Sequence, residues 1–114
     1  VVSIALSGRV SGTHDAALTA AQRIAPGLGG LRVVSVVDTC SVSCGQGLIA
    51  IAAAECAKGG GNAEEVIAAA RQATRHTRAF ALLADVDAAV KGGRVPPFAR
   101  TLTRLLGLSM ILAT

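Results

Sequence analysis

The order of short apolar runs and alanine-rich helical segments constrains the fold of this chain more than any other feature. Val1–Leu6 and Leu31–Val37 are rich in aliphatic and β-branched residues, as strands buried on both faces of a parallel sheet are. Each run is followed by a segment with the apolar spacing of a helix. Because parallel strands are joined by helical crossovers, residues 1–58 predict a parallel βαβα arrangement.

The helices of this first part have clear start and stop signals. The first is predicted to begin near Ser11 or Thr13, either of which can cap it, and to end at Pro26-Gly27 and Gly29-Gly30. Its predicted apolar face comprises Ala16, Ala17, Leu18, Ala20, Ala21 and Ile24. The second helix is predicted to follow Ser41 or Ser43 and to extend from Gly45 to about Lys58, where three glycines stop it.

The remaining residues predict an αβαβ order. Asn62 and Glu65 form a capping-box pattern at the start of a helix that extends to about His76. The later predicted elements are a strand at Ala79–Leu83, a helix over Val86–Lys91 capped by Asp85 and ended by Gly92-Gly93, a helix from Pro96-Pro97 to Leu106, and a strand at Leu108–Ala113. The triple glycine 59–61 predicts a boundary between 1–58, part of a first α/β domain, and 62–114, part of a second.

Composition excludes several classes of protein. Hydrophobic residues make up 52% of the chain and aromatic residues only 2%, so no aromatic platform for single-stranded nucleic acid is present despite the net charge of +4. No segment reaches the roughly 18 uninterrupted apolar residues of a membrane span. An odd number of cysteines, three, and no visible signal peptide favour reduced thiols and a cytoplasmic setting.

The segment Leu6–Thr13 joins the first strand to the first helix. Such a turn directs backbone N–H groups and hydroxyls at a small volume where the helix dipole favours negative charge, which predicts a carboxylate or phosphate site. The candidate ligand-binding residues are Ser7, Gly8, Ser11, Gly12 and Thr13. The alternative is an ordinary capped turn. The Gly-x-Ser-x-Gly elbow of a nucleophilic serine is absent, so no catalytic residue is predicted.

Two further segments contain residues that could bind a metal ion or a charged group. Cys40 and Cys44 are spaced like ligands on a helix face, but Cys56 is remote in sequence, so small apolar packing and three free thiols without metal are predicted. Lys91-Gly92-Gly93-Arg94 has, from its residues alone, the pattern of a helix C-cap with two solvated charges.

In this order and at this spacing, the three segments resemble those of the DegV family of bacterial fatty-acid-binding proteins. The family segment S-S-x-L-S-G-T-Y is matched by Ser7, Ser11, Gly12 and Thr13. Asp38–Gly47 is similar to the family segment D-S-x-S-V-S-M-G-x-G, with Cys44 in the place of Met. Lys91–Val95 is similar to K-G-G-R-[IV].

The resemblance implies a central fragment of a longer, two-domain protein that binds a long-chain fatty acid. The first segment would help hold the carboxylate, and Arg94 would face the lipid head group or a kinase subunit. The protein would be a carrier without cofactor or chemistry of its own. It would present the carboxylate to a separate fatty acid kinase subunit, which forms an acyl-phosphate for phospholipid synthesis.

The chain also departs from the family pattern. Gly8 stands where the family often has its second serine, and His14 stands where it has an aromatic residue. The Lys-Pro pair that usually precedes the last strand is missing, and two family segments, one upstream and one downstream with a histidine, would be absent. The alternative function is that of an α/β enzyme acting on a small phosphorylated or carboxylated substrate at the Ser7–Thr13 turn.

Overall fold

The computed structural model describes residues 1–28, 34–83, 85–106 and 109–114. In chain order the elements are β1 (Val2–Ala5), α1 (Thr13–Ile24), a 3-10 helix (Ala25–Leu28), β2 (Ser35–Asp38), α2 (Ser43–Lys58), α3 (Ala63–His76), β3 (Phe80–Leu83), α4 (Val86–Lys91), α5 (Pro97–Leu106) and β4 (Met110–Ala113). This order confirms the predicted α/β fold class. The predicted Gly29-Gly30 stop and the starts of the predicted Leu31–Val37 and Leu108–Ala113 strands lie outside the described residues.

The first two strands form a parallel pair, as predicted. Val2 lies opposite Ser35 and Ala5 lies opposite Asp38, so the carboxyl ends of both strands meet at one edge of the sheet. Each strand is followed by a helix, which is the crossover arrangement that the sequence predicts. The loops after β1 and β2 therefore start side by side.

A core of aliphatic residues joins this sheet to α2 and α3. Its buried members are Val37, Ile49, Ala53, Val66 and Ala70, and half-buried Val2 and Ile4 pack against them. The apolar face of α3 contacts this core: Val66 and Ala70 are buried, and Ile67, Ala69 and Ala73 are half-buried. By contrast, the predicted apolar face of α1 is largely exposed: Ala21 is buried, but Leu18 and Ile24 are not.

The chain divides into two compact units, Val1–Ala79 and Phe80–Thr114. This division lies about twenty residues beyond the triple glycine at which the sequence predicts a domain boundary. The reason is that α3, which begins just after those glycines, packs on α2 and contacts β1 and β2. In the structure α3 therefore packs with the first unit, and the assignment of 62–114 to a second domain stays a prediction.

The triple glycine ends α2 in a Schellman motif. Gly60 has a φ of +91°, its N–H donates to Ala57 O at 3.1 Å, and the N–H of Gly61 donates to Cys56 O at 3.0 Å. The next residue, Asn62, completes the predicted capping box of α3, since its Oδ1 accepts from the N–H of Glu65 while its own N–H donates to Glu65 Oε2. The three glycines thus end α2 and connect it to α3 through a short turn.

The second unit contains an antiparallel pair, β3 and β4, and the two helices between them. Phe80 pairs with Ala113 and Leu83 pairs with Met110. Asp85 caps α4 as predicted, accepting from the N–H of Asp87 at 2.8 Å. The Asp87 carboxylate, in turn, bonds to arginines of α5 at 2.9 and 2.8 Å, which ties α4 to α5. None of the helices in the described part of the chain is long and apolar enough to cross a membrane.

Candidate functional site

The turn after β1 and the loop after β2 lie against each other at the carboxyl edge of the parallel pair. The Ser7 N–H donates to Ser41 O at 3.0 Å, and the Thr39 hydroxyl donates to Ala5 O at 2.8 Å. Ser7, Thr39 and Ser41 are all buried. The structure thus brings together the first two sequence segments.

Ser7 organises the turn from inside. Its carbonyl accepts hydrogen bonds from the N–H groups of Val10 and Ser11, both at 3.1 Å, and its side chain is only 1% exposed. Ser7 is predicted to offer a hydroxyl directly to a ligand, but the structure buries this residue and bonds its backbone N–H to the loop after β2. Its clearest role in the structure is to hold the turn in shape.

Asp38, at the end of β2, already places a carboxylate in this turn. Both of its oxygens lie 3.3 Å from the N–H of Gly8, and Oδ1 also accepts the N–H of Cys40 at 2.8 Å. Asp38 begins the segment Asp38–Gly47 that resembles a family motif, but the sequence alone predicts no role for it. The sequence signal that could have found this role is an aspartate just before a turn, because such a carboxylate commonly accepts the backbone N–H two residues later.

Ser11 and Thr13 present the accessible hydroxyls of the turn. Their Oγ and Oγ1 atoms are 2.7 Å apart, and Ser11 Oγ also accepts the N–H of Thr13 at 3.2 Å. Thr13 is exposed and Ser11 is half-buried. One of the two hydroxyl hydrogens forms the bond between the pair, so one remains to donate to an external acceptor. Neither side chain caps α1 in the predicted way, since Gly12 is its N-cap.

The backbone contributes less to an anion site than the sequence predicts. The N–H groups of Ser7, Gly8, Ser11 and Thr13 all donate to acceptors within the protein. The remaining backbone donors of the turn include those of the first turn of α1, where the N–H groups of His14 and Asp15 have no intrahelical acceptor. An anion at this turn would therefore bind through the free hydroxyl hydrogen and the start of α1.

Close packing beneath the site depends on Gly45 in the first turns of α2. A Cβ at this position would overlap Ser41 Oγ and lie 3.1 Å from the Ala79 Cβ. Cys40, with a φ of +48°, lies before the helix, whereas Cys44 lies in its first turn, so the two do not share a helix face. Both are exposed and Cys56 is half-buried, all three as free thiols.

Arg94 lies in the second unit and is exposed, as predicted. Its N–H donates to Ala89 O at 3.0 Å, and the preceding Gly93 has a φ of +74°, so the segment ends α4 in a second Schellman motif. The Arg94 guanidinium bonds back to Gly92 O. The predicted helix C-cap is thus present, and the cationic side chain stands outside it.

Comparison with known proteins identifies the family to which this chain belongs. The family described as "Uncharacterised protein, DegV family" matches residues 1–114, so the chain belongs to the DegV family. Over 95 residues it is 41% identical to a DegV domain-containing protein of Streptomyces coelicolor, an alignment that covers 83% of this chain.

Two solved structures share the fold. One is described as showing fatty acid binding of a DegV family protein from Thermus thermophilus; it covers 99% of the chain at 33% identity with a TM-score of 0.77. The other, DegV of Bacillus subtilis, described as a fatty acid binding protein, covers 99% at 26% identity with a TM-score of 0.72. The chain spans 38% and 39% of these two proteins, and 32% of the Streptomyces relative.

Proposed function

We propose that this chain is part of a fatty-acid-binding carrier and that the Ser7–Thr13 turn holds the carboxylate of the ligand. The observation that carries the proposal is the match of 99% of the chain to a fatty-acid-binding DegV protein at 33% identity. In this proposal the five candidate residues have different roles. Ser7 and Gly8 fix the turn through the loop after β2, Gly12 begins the helix, and the hydroxyl pair faces outward.

The first experiment is identification of the bound ligand. Lipid is extracted from the purified full-length protein and analysed by mass spectrometry. A long-chain fatty acid present at close to one molecule per protein supports the carrier. A small phosphorylated or carboxylated metabolite in its place would instead support an α/β enzyme at the same turn.

Removing both outward hydroxyls should weaken fatty-acid binding. The variant Ser11→Ala/Thr13→Val loses the one free hydrogen-bond donor of the pair, and a hydrogen bond to a charged group contributes about 1.5–3 kcal/mol. This corresponds to a loss of affinity of roughly ten- to a hundredfold. Titration calorimetry with palmitate measures the loss. Thr101→Val, which removes an exposed hydroxyl from α5, is the control, and a double variant that binds as tightly as wild type places the carboxylate elsewhere.

The proposal extends to a partner. The carrier would present the carboxylate to a separate ATP-dependent kinase subunit, which forms an acyl-phosphate, and Arg94 would face the head group or that subunit. Its support in the structure is an exposed guanidinium just outside a rigid helix cap. A guanidinium pairs with a carboxylate or phosphate through two parallel bonds, which a lysine cannot reproduce.

Arg94→Lys should therefore lower acyl-phosphate formation by about tenfold, the loss of one charge-assisted hydrogen bond. Thermal stability and lipid binding should change little, because the backbone N–H of Arg94, which the substitution keeps, closes the cap, while its guanidinium bonds to Gly92 O at the exposed surface. Arg23→Lys on the exposed side of α1 is the matched control. A fall of several degrees in Tm with unchanged turnover per folded molecule would make Arg94 a structural residue.

A further inference from the structure

The side of α3 that faces away from the core carries a shallow groove. One side of this helix packs on the core through the buried residues Val66 and Ala70. The groove on the exposed side has a volume of about 660 Å³, and its lining comes from α3 itself. We call it the α3 groove, and the lining residues that matter below are Ile67, Ala68, Arg71, Gln72 and Arg75. None of them belongs to the candidate carboxylate site.

Positive charge is concentrated in the carboxyl-terminal half of this groove. Arg71 and Arg75 are both exposed and lie one helical turn apart, a spacing at which like charges slightly destabilise a helix. Within the described ranges neither guanidinium forms an ion pair, since the pairs there join other side chains. The two acidic residues of the helix, Glu64 and Glu65, lie in its first turn. The two arginines therefore have no counter-charge beside them on α3.

The stability of the helix accounts for its other arginines but not for Arg71. Arg75 lies in the last turn, where a positive charge offsets the helix dipole. Arg78, just after the helix, donates to the carbonyl oxygens of Arg75 and Thr77 at 3.3 and 3.0 Å. Arg71 lies before the last turn and has neither role. Two unpaired guanidinium groups on one face are suited to bind carboxylates, each through two parallel hydrogen bonds.

The groove fits a protein segment better than a membrane or a nucleic acid. Its apolar part consists of half-buried Ile67 and exposed Ala68, neither of which is the large exposed side chain that inserts into a bilayer. Among the described residues that line it there is no Phe, Tyr or Trp on which a base could stack. Carboxylates one turn apart on a facing helix would match the spacing of Arg71 and Arg75.

We propose that the α3 groove docks an acidic helix of a partner protein, with Arg71 and Arg75 each paired to a carboxylate of that helix. The small side chain of Ala68 lets the two helices approach closely, and Ile67 supplies an apolar contact. The proposal goes beyond the fatty-acid carrier and does not depend on the carboxylate site. Because both ion pairs lie at the surface, added salt should weaken the complex.

The test is calorimetric titration of the full-length protein with a synthetic acidic helix. The probe is a peptide of about twenty residues, long enough to form a helix alone, with glutamate at every fourth position and leucine beside it. Arg71→Gln/Arg75→Gln should weaken binding by about tenfold, the combined effect of two exposed ion pairs. Arg23→Gln/Lys58→Gln removes the same charge from exposed positions near the ends of α1 and α2 and should bind as wild type.

Palmitate titration of the same variants separates this proposal from the carrier function. Arg71→Gln/Arg75→Gln should keep the palmitate affinity of wild type. Failure of wild type to bind the peptide, with palmitate bound normally, overturns the docking site and leaves the carrier function standing. Equal weakening in the two double variants means attraction by net charge alone and also overturns it. Tighter binding of duplex DNA or phosphatidylglycerol vesicles at the same arginines would overturn the protein partner.

A second variant decides the matter if Arg71→Gln/Arg75→Gln does not fold. Ala68→Glu places a carboxylate three residues before Arg71, where an opposite charge stabilises a helix. This carboxylate should neutralise the groove and repel the acidic peptide, so peptide affinity should fall by about tenfold while thermal stability is kept. Full peptide affinity in the folded Ala68→Glu protein would overturn the proposal.

Discussion

Replacing Ile49 with Ala is expected to lower the free energy of unfolding by about 2–5 kcal/mol, the usual cost of truncating a buried isoleucine to alanine. Ile49 is fully buried and lies in the core that joins α2 and α3 to the parallel sheet. Its truncation leaves a void in a core whose other buried members are only alanines and valines. Urea denaturation of the full-length protein, followed by circular dichroism, measures the change.

The same helix supplies the control. Ile51→Ala is the identical substitution two residues later, where the side chain is 56% exposed and far less apolar contact is lost. It should change the free energy of unfolding much less, partly because alanine is the better helix former. Similar losses for both variants would mean that the packing of α2 differs from that described above.

Gly45→Ala is expected to destabilise the protein by about 1–3 kcal/mol, as over-packing of a filled site does. A methyl group there would overlap the Ser41 hydroxyl, which is buried beneath the candidate site. The loop after β2 would have to shift, and Ser41 O is the acceptor for the Ser7 N–H. Fatty-acid affinity should therefore fall together with stability. Thermal unfolding and palmitate titration measure the two effects.

Gly47→Ala is the matched control on the same helix. A Cβ there meets nothing within 4 Å, so alanine should raise stability by about 0.5–1 kcal/mol through its higher helix propensity. The two substitutions are chemically identical, and opposite signs are expected. If both variants gain stability, Ser41 can move away at little cost, and the loop after β2 is less tightly packed than the structure shows.

Local signals in the sequence predict local structure well. The capping box of Asn62 and Glu65, the cap at Asp85 and the glycine stop after α4 are all present, because each is formed by residues within one turn of one another. The parallel pairing of β1 with β2 also follows from the composition of the two runs and the helical connection between them. The caps and the glycine stop need no knowledge of distant parts of the chain, whereas the strand pairing is predicted from the helical connection between two distant runs.

Features that depend on distant residues are predicted less well. The triple glycine suggests a domain boundary because its stop signal is strong, yet the contacts of α3 with α2 and the sheet keep it in the first unit. The apolar spacing of α1 predicts a buried face, but spacing does not reveal whether another element covers it. The hydrogen bond between Gly8 and Asp38 joins residues thirty positions apart, so the local sequence around either residue does not predict it.

That bond has a consequence for the energetics of the candidate site. With the Asp38 carboxylate bound to backbone N–H groups on both sides, the turn has its shape before any ligand arrives. When a turn already has its shape, ligand binding requires little free energy for ordering the loop. A larger part of the free energy of the ligand contacts then contributes to the affinity. The aspartate thus fixes the shape of the turn that we propose as the carboxylate site, and its own negative charge disfavours any anion that would bind there without a compensating positive charge.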